Sequence, residues 1–291
     1  MHDPDMFAHP YFVLWLHSDA WLSRHIGSTI THRHTVHEWP LSCVQRLHTI
    51  DGRSFFYKIQ RPPSVEVAVY QHGGGSCLLK HVEVLEVHQS TQLPALLFHD
   101  ENARPATLAD IATTQRIHQL WAALAQLPQT LPVWATLDDW PTWQEYIATT
   151  LAMLAALLQS GRLQQVTSAD VTHLATIALG EHMRAFYATT TMGVVHGDLH
   201  LGNLLVRNDA LVIIDWQRPI KAPRIMDVVH FTAMSGGDLS GFPAVAVWYW
   251  ALMRIDWLVR AGHTWFPAGC ATYDGQIRHI IDHMHRLAPW D

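Results

Sequence analysis

This sequence has little cysteine, no long apolar run and no excess of basic residues, and each scarcity excludes a class of protein. Only three of its 291 residues are cysteine. Cys43, Cys77 and Cys270 are scattered, so neither a disulfide-stapled scaffold nor a cysteine-based zinc site is expected. No apolar run reaches the roughly 18–20 residues that cross a bilayer, so no membrane span is expected. The start, Met1-His-Asp-Pro-Asp5, is acidic where a signal peptide is basic, and Phe12–Leu16 is too short for a signal core. A cytoplasmic chain is expected. Lys and Arg number 19 against 25 Asp and Glu, giving a net charge of −6 with His neutral. The basic stripe of a nucleic-acid binder is therefore missing. Mild acidity is compatible with a cationic ligand without requiring one.

Hydrophobic residues make up 49% of the chain and charged residues 15%, enough for a substantial core in one large domain or two lobes. Histidine and tryptophan are abundant, at 22 and 13. The histidines are mostly dispersed singly and read as surface and core filling. Their protonation near pH 6 moves the net charge strongly, so solubility is expected to depend on pH.

The chain is organised around Val194–Asn203 and Ile213–Trp216. An apolar pair runs into a polar loop that holds Asp198 and, five residues later, Asn203; a short strand pair then ends in Asp215. Phosphoryl transfer from a nucleotide needs such groups. One carboxylate accepts the proton of the attacking hydroxyl, while an amide oxygen and a second carboxylate hold Mg²⁺ against phosphate oxygens. The kinase loop H-R-D-L-x-x-x-N keeps the same Asp-to-Asn spacing, although Trp-Gln follows Asp215 where kinases have Phe-Gly. A surface loop using Asp and Asn for turns is the bland alternative. It leaves unexplained why two carboxylates and an amide fall at this spacing beside apolar strands. A zinc reading of His196 and His200 needs a helix with a Glu between them; Gly197, Gly202 and the missing Glu oppose it.

His196-Gly-Asp-x-His200-x-x-Asn203 followed by Ile-Asp-Trp resembles the aminoglycoside phosphotransferase and choline kinase-like family, small-molecule kinases with the protein-kinase fold. The resemblance implies a two-lobed α+β fold, with an antiparallel-sheet nucleotide lobe over residues 1–101 and a mainly helical acceptor lobe over 102–291. It implies Asp198 as catalytic base, Asn203 and Asp215 as Mg²⁺ ligands, and ATP or GTP as phosphoryl donor. His196 would brace the loop, and His200 is open between substrate contact and bracing. Asp227 stands where the family has an Asp-Leu-Ala-like element, here Asp-Val-Val, and would anchor the loop backbone. Lys58 would pair the α- and β-phosphates and be held by Glu66. Backbone groups from Phe98 to Glu101 would meet the adenine edge. The phosphate-covering loop, expected at His37–Ser42, departs from the family: Trp39-Pro40-Leu41-Ser42 lacks the glycines that let backbone approach phosphate, leaving Ser42 and the local backbone.

Periodicity predicts an amphipathic helix over residues 5–25. Three antiparallel strands should follow, with a hairpin at Asp51-Gly52 and Lys58 near the end of the third. Pro63 or Ser64 should open a helix that carries Glu66. Gly73-Gly74-Gly75 lacks the Lys and hydroxyl of a Walker loop and reads as a turn before strands at Val82–Val87 and Leu93–Phe98. Helices are predicted over 107–127, from Asp138 or Asp139 to about Gln159, and from Thr167-Ser168 to about Thr190.

Trp248, Trp250 and Trp257 would suit a cage for an ammonium group, but helical spacing favours core for at least two of them. Asp238, Asp256, Asp274 and Asp282 are acids that no motif singles out. The leading expectation is a kinase of a small hydroxyl compound. The alternative is a catalytically silent kinase-fold protein that binds nucleotide or ligand. A protein kinase ranks last: no Ala-Pro-Glu element follows, and there is little room for an activation loop between Asp215 and Asp227.

Overall fold

The computed structural model describes residues 5–72, 81–87, 91–100, 103–111, 114–207 and 210–287. These form two compact units, Met1–Trp134 with Leu201–Pro219, and Ala135–His200 with Ile220–Asp291. The division differs from the single boundary expected after residue 101. Residues 102–134 and the segment after the central loop group with the first unit, because short strands tie them to each other.

The first unit opens with the hairpin β1 (Met6–Ala8) and β2 (Trp15–His17), then α1 (Asp19–Ile26). The single helix expected over 5–25 is thus wrong for its first two thirds. Pro10 has no N–H to continue a helix. The chain turns instead, with His9 N–H bonded to the Leu14 carbonyl at 2.7 Å. The helix starts only where Ser18, as N-cap, accepts from Trp21 N–H, and stops at Gly27 in the left-handed region. Of the apolar residues that mimicked a helical stripe, Phe7 and Trp15 are strand positions, and Leu14, just before β2, packs with Leu16 and with Leu22 of α1.

Strands β3 (Ile30–Trp39), β4 (Ser42–Thr49) and β5 (Ser54–Gln60) form the expected antiparallel trio. Gly52, at φ 83°, makes the Asp51-Gly52 turn between the last two. Helix α2 (Glu66–His72), β6 (Val82–Leu85) and β7 (Ala95–His99) follow and complete a sheet of order β3-β4-β5-β7-β6. The strand period of two sorts β5 cleanly. Phe55, Tyr57 and Ile59 point into a core with Leu16, Leu22, Leu47 and Leu97. Phe56 and Lys58 point to the opposite face, where Val67, Leu96 and Phe98 form a second cluster. Gly73–Gly75 lie outside the described residues.

β8 (Arg104–Pro105), α3 (Leu108–Ile111) and α4 (Thr114–Ala125) end the first run. The second unit begins with β9 (Ala135–Thr136) and α5 (Trp140–Gln159), whose N-cap Asp139 accepts from Thr142 N–H at 2.8 Å. α6 (Ser168–Leu179) starts with a reciprocal capping box of Thr167 and Asp170. The helix expected to reach Thr190 breaks at Gly180 and resumes as α7 (Glu181–Thr189). A side chain at 180 would place its Cβ 2.6 Å from the Thr176 carbonyl oxygen, so the break suits only glycine.

β10 (Met192–Val195) leads to the central loop; β11 (Leu204–Arg207) and β12 (Ala210–Ile213) return to the first unit, in a sheet of order β12-β11-β8. The second unit ends with β13 (Ile220–Pro223), α8 (Ile225–Met234), α9 (Ala244–Arg260) and α10 (Cys270–Leu287). β13 pairs antiparallel to β10 and parallel to β9. Trp143 is fully buried, donates its indole N–H to the Ala178 carbonyl at 2.8 Å and packs on Tyr249 at 4.8 Å. Trp248 and Trp250 are buried in α9 and Trp257 is half-buried. Among the described residues no helix is long and apolar enough to cross a membrane.

Candidate functional site

Within the first unit, Lys58 collects two carboxylates that are far away in sequence. Its Nζ lies 2.5 Å from Glu66 Oε2 on α2 and 2.5 Å from Asp215 Oδ1 after β12. The strand period sends Lys58 to the α2 side of the sheet. Ser64 then sets the start of α2, its hydroxyl accepting the Glu66 N–H at 3.2 Å. Glu66 also accepts the Trp216 N–H at 3.2 Å, and Val65 N–H reaches the Gln217 carbonyl at 2.9 Å. These bonds lock the segment after β12 to α2.

Burial is the largest influence on both members of the Lys58–Glu66 pair. It pushes the Glu66 carboxyl up to about 7, with Lys58 pulling it back. It disfavours the Lys58 charge, but Asp215 and Glu66 outweigh it and the ammonium is held above its ordinary value. Lys58 and Glu66 are almost fully enclosed, whereas 37% of the Asp215 side chain is exposed. Asp215 is the non-glycine residue with positive φ, 66°, among the described residues. Such a conformation is uncommon away from glycine, and Asp tolerates it better than most residues. Asn203 precedes β11, and its carbonyl accepts the Ile214 N–H at 3.0 Å, so the amide residue and Asp215 flank the open end of one hairpin. An amide and a carboxylate are hard oxygen donors of the kind that suits Mg²⁺.

Ser42 begins β4 and is buried; its hydroxyl accepts the Trp39 indole N–H at 2.7 Å and lies 3.5 Å from the Gln217 amide nitrogen. Phe98 is buried in β7, edge-on to Tyr70 at 5.3 Å. Beyond it, His99 N–H bonds the His81 carbonyl and Asp100 N–H the Ser54 carbonyl. Glu101 lies outside the described residues.

In the second unit, β10 delivers the loop that holds Asp198. Asp227, in the first turn of α8, accepts the His196 N–H at 2.8 Å and the Gly197 N–H at 3.0 Å. Its complete burial is the largest influence and pushes the carboxyl up; the His196 charge and the two backbone donors pull against it. Gly197 has φ 81° and turns the chain toward Asp198. His196 is buried, and its Nδ1 accepts the Asp198 N–H at 3.3 Å. The stretch 196–200 is not helical, so His196 and His200 lack the i, i+4 presentation of a zinc pair.

Asp198 Oδ1 lies 3.2 Å from His230 Nε2 and 3.8 Å from an Arg254 nitrogen. Burial, the largest influence, would raise its pKa. The contact with His230 and the charges of Arg254 and His200 outweigh it and hold the carboxyl well below the carboxylate range. Sequence reasoning missed both neighbours. A signal existed: His230 follows Asp227 by one helical turn, so the two share a face of α8. Arg254 follows Trp250 by one turn of α9 in the same way.

The other candidate acids have structural partners. Asp256 is buried among Tyr146, Thr150 and Arg260. Asp274 accepts the N–H groups of Gln164, Gln165 and Val166. Asp282 pairs with Arg278, and Asp238 makes a local turn with Ser240. Among the described residues, His9, Glu38 and Cys43 bring possible metal donors within 4.8 Å of one another. They suit a metal poorly. His9 Nδ1 accepts the N–H groups of Tyr11 and Phe12, so the ring proton sits on Nε2, the nitrogen that faces Glu38.

Comparison with known proteins bears on the family and the fold. A family model described as the phosphotransferase enzyme family matches residues 48–263. No curated protein sequence matches the chain. Among solved structures, the aminoglycoside phosphotransferase APH(4)-Ia aligns at TM-score 0.66 and 16% identity, over 93% of this chain and 98% of that one. A thermostable mutant of it, in ternary complex with ADP and hygromycin B, aligns at TM-score 0.65 and 14% identity, over 94% and 99%. A putative fructosamine-3-kinase from Thermobifida fusca YX-ER1 aligns at TM-score 0.59 and 16% identity, over 92% and 98%. A choline/ethanolamine kinase family protein from Mesorhizobium loti aligns at TM-score 0.56 and 14% identity, over 87% and 88%. The likeness to these structures is one of fold, the protein-kinase-like α+β fold.

Proposed function

The chain belongs to the phosphotransferase enzyme family, and from that premise we propose that it moves the γ-phosphoryl group of ATP or GTP to a hydroxyl of a small molecule. The observation that carries this reading is the Lys58–Glu66–Asp215 cluster, in which Lys58 and Glu66 are enclosed. A cation held by one enclosed carboxylate and one partly exposed carboxylate is what a phosphate chain and its metal require. Lys58 would neutralise phosphate oxygens, with Glu66 holding the ammonium in place. Asn203 and Asp215 would hold Mg²⁺, which supplies charge neutralisation at the transferring phosphoryl group. Asp198 would accept the proton of the acceptor hydroxyl. Its low proton affinity suits a loose transition state, in which orienting the hydroxyl matters more than basicity. Asp227 would hold the loop by its two backbone bonds. His196 would brace the same loop, and His200, near enough to lower the Asp198 carboxyl, would contact acceptor or loop.

The acceptor would be a small hydroxyl compound such as an aminoglycoside, an amino alcohol or a sugar. The structures aligned above include a ternary complex with ADP and hygromycin B, which supports nucleotide plus small acceptor as the pair of ligands. A second reading, nucleotide binding without turnover, is favoured by the Trp39–Ser42 turn. That turn has no glycine, and its Ser42 hydroxyl is already engaged by Trp39.

The deciding experiment is Mg²⁺-dependent ATP and GTP consumption with a panel of aminoglycosides, amino alcohols and sugars, with Asp198→Asn as the blank. Acceptor-stimulated turnover that falls by roughly 10²-fold or more in the variant supports the kinase. Equal turnover by wild type and variant sinks the role of Asp198. Calorimetric nucleotide binding without turnover on any acceptor favours the second reading.

A further inference from the structure

His230 is a fully buried imidazole with nothing to gain from solvent. One of its nitrogens is committed by chemistry rather than by assignment. The Trp250 indole nitrogen lies 3.1 Å from His230 Nδ1. An indole N–H can only donate, so Nδ1 must be the acceptor. The proton of the neutral ring then sits on Nε2, which lies 3.2 Å from Asp198 Oδ1. Among the described residues Nε2 has no well-aligned hydrogen-bond acceptor, so the contact to Asp198 is bent. Contacts of reacting groups are commonly bent without substrate and tighten on binding.

Helical geometry explains why these three groups line up. Asp227 and His230 share one face of α8, so the residue that pins the loop backbone and the residue that meets Asp198 come from adjacent turns. Trp250 and Arg254 share one face of α9 in the same way, one orienting His230 and the other approaching Asp198 at 3.8 Å. Trp250 is buried, which keeps water from competing for Nδ1. Neither core packing nor loop anchoring requires an indole donor on a buried imidazole.

We propose that His230 is a positioning residue for Asp198, its tautomer fixed by the Trp250 indole so that Nε2–H orients the carboxylate toward the acceptor hydroxyl. The inference rests on the reading of Asp198 given above. The logic is that of any oriented acid–base group: a partner on the far ring nitrogen decides which nitrogen donates.

The test uses the full-length protein with ¹⁵N-labelled histidine, His230 being identified by the signal lost in His230→Gln. The wild type should show Nδ1 unprotonated and Nε2 protonated, and Trp250→Phe should release this into a mixture of tautomers. In steady-state kinetics, Trp250→Phe and His230→Leu should lower kcat by about tenfold to a hundredfold. KM for nucleotide and acceptor should stay within about twofold. His230→Gln, which keeps an N–H donor, should recover part of the loss. A protonated Nδ1 in the wild type overturns the proposal, as does an unchanged kcat in a folded Trp250→Phe protein or a loss confined to KM. Absence of turnover in the wild type counts against the kinase reading instead, and the tautomer measurement still decides whether the relay exists.

Discussion

Lys58 and Glu66 illustrate how a buried ion pair is costly to break and cheap to replace. Both side chains are almost fully enclosed, at 6% and 1% exposed. Removing one partner leaves the other charge without compensation, at a cost of about 3–5 kcal/mol, whereas replacing both with apolar groups is often close to neutral. Lys58→Met should therefore destabilise the protein by roughly that amount in urea unfolding, and adding Glu66→Leu should return most of it. A neutral Lys58→Met would contradict the enclosed pair. At this scale the sequence was informative where residues occur in a motif. Asp198, Asn203 and Asp215 stand out by spacing alone. His230 did not, because 22 histidines dilute the signal of any one. Its meaning comes from the indole and the carboxylate that the fold places on its two nitrogens.

Helix starts were legible because capping is local chemistry. Asp139 and Thr167 sit where side-chain oxygens meet unsatisfied N–H groups. Thr167→Ala should cost about 1 kcal/mol in urea unfolding by removing one half of the capping box of α6. The other half, Asp170, makes a pH prediction. Burial pushes its carboxyl up, but bonds from Thr167 and Arg278 outweigh it and hold the pKa below its ordinary value. A carboxyl depressed in the folded state stabilises above its unfolded pKa, about 3.9. That contribution is lost as pH falls from there through the folded pKa. Asp170→Asn should lower stability at pH 7 and flatten the acid side of the stability profile; an unchanged acid slope would contradict the ion pair. Helix interruptions were harder to read. Residues 5–17 carry enough apolar positions to imitate a helical stripe, and Pro10 was the local sign that they would not form one. Gly180 falls inside the helix expected to reach Thr190, and the break shows only in the structure, where a Cβ at that position would lie 2.6 Å from the Thr176 carbonyl oxygen.

As a whole the molecule is an α+β phosphotransferase-family chain of two compact units, with the central loop leaving one unit and entering the other between His200 and Leu201. If the proposed function holds, Mg²⁺ and nucleotide at a hundredfold excess over Kd should stabilise it by about 2.7 kcal/mol. Asp215→Asn should lose the Mg²⁺-dependent part of that gain, and Asp198→Asn should keep it. Thermal unfolding with ATP, GTP and EDTA reads both. Composition adds a colloidal expectation. With a net charge of −6 and 22 histidines, lowering the pH from 7 toward 6 carries the protein toward neutrality, and light scattering should show falling solubility there.

By itself the sequence determined the fold class, the antiparallel trio with its Asp-Gly turn, the helix caps and the order of the motif residues. The fold class follows from the resemblance that the motif residues carry, and the rest from neighbours along the chain, through period, capping or turn chemistry. Tertiary structure alone decided which distant groups meet: Asp215 with Lys58, and Trp250 and Asp198 on the two nitrogens of His230. Charge enclosure and tautomer depend on what surrounds a side chain in space, and the burial that sets them exists only once strands and helices have packed.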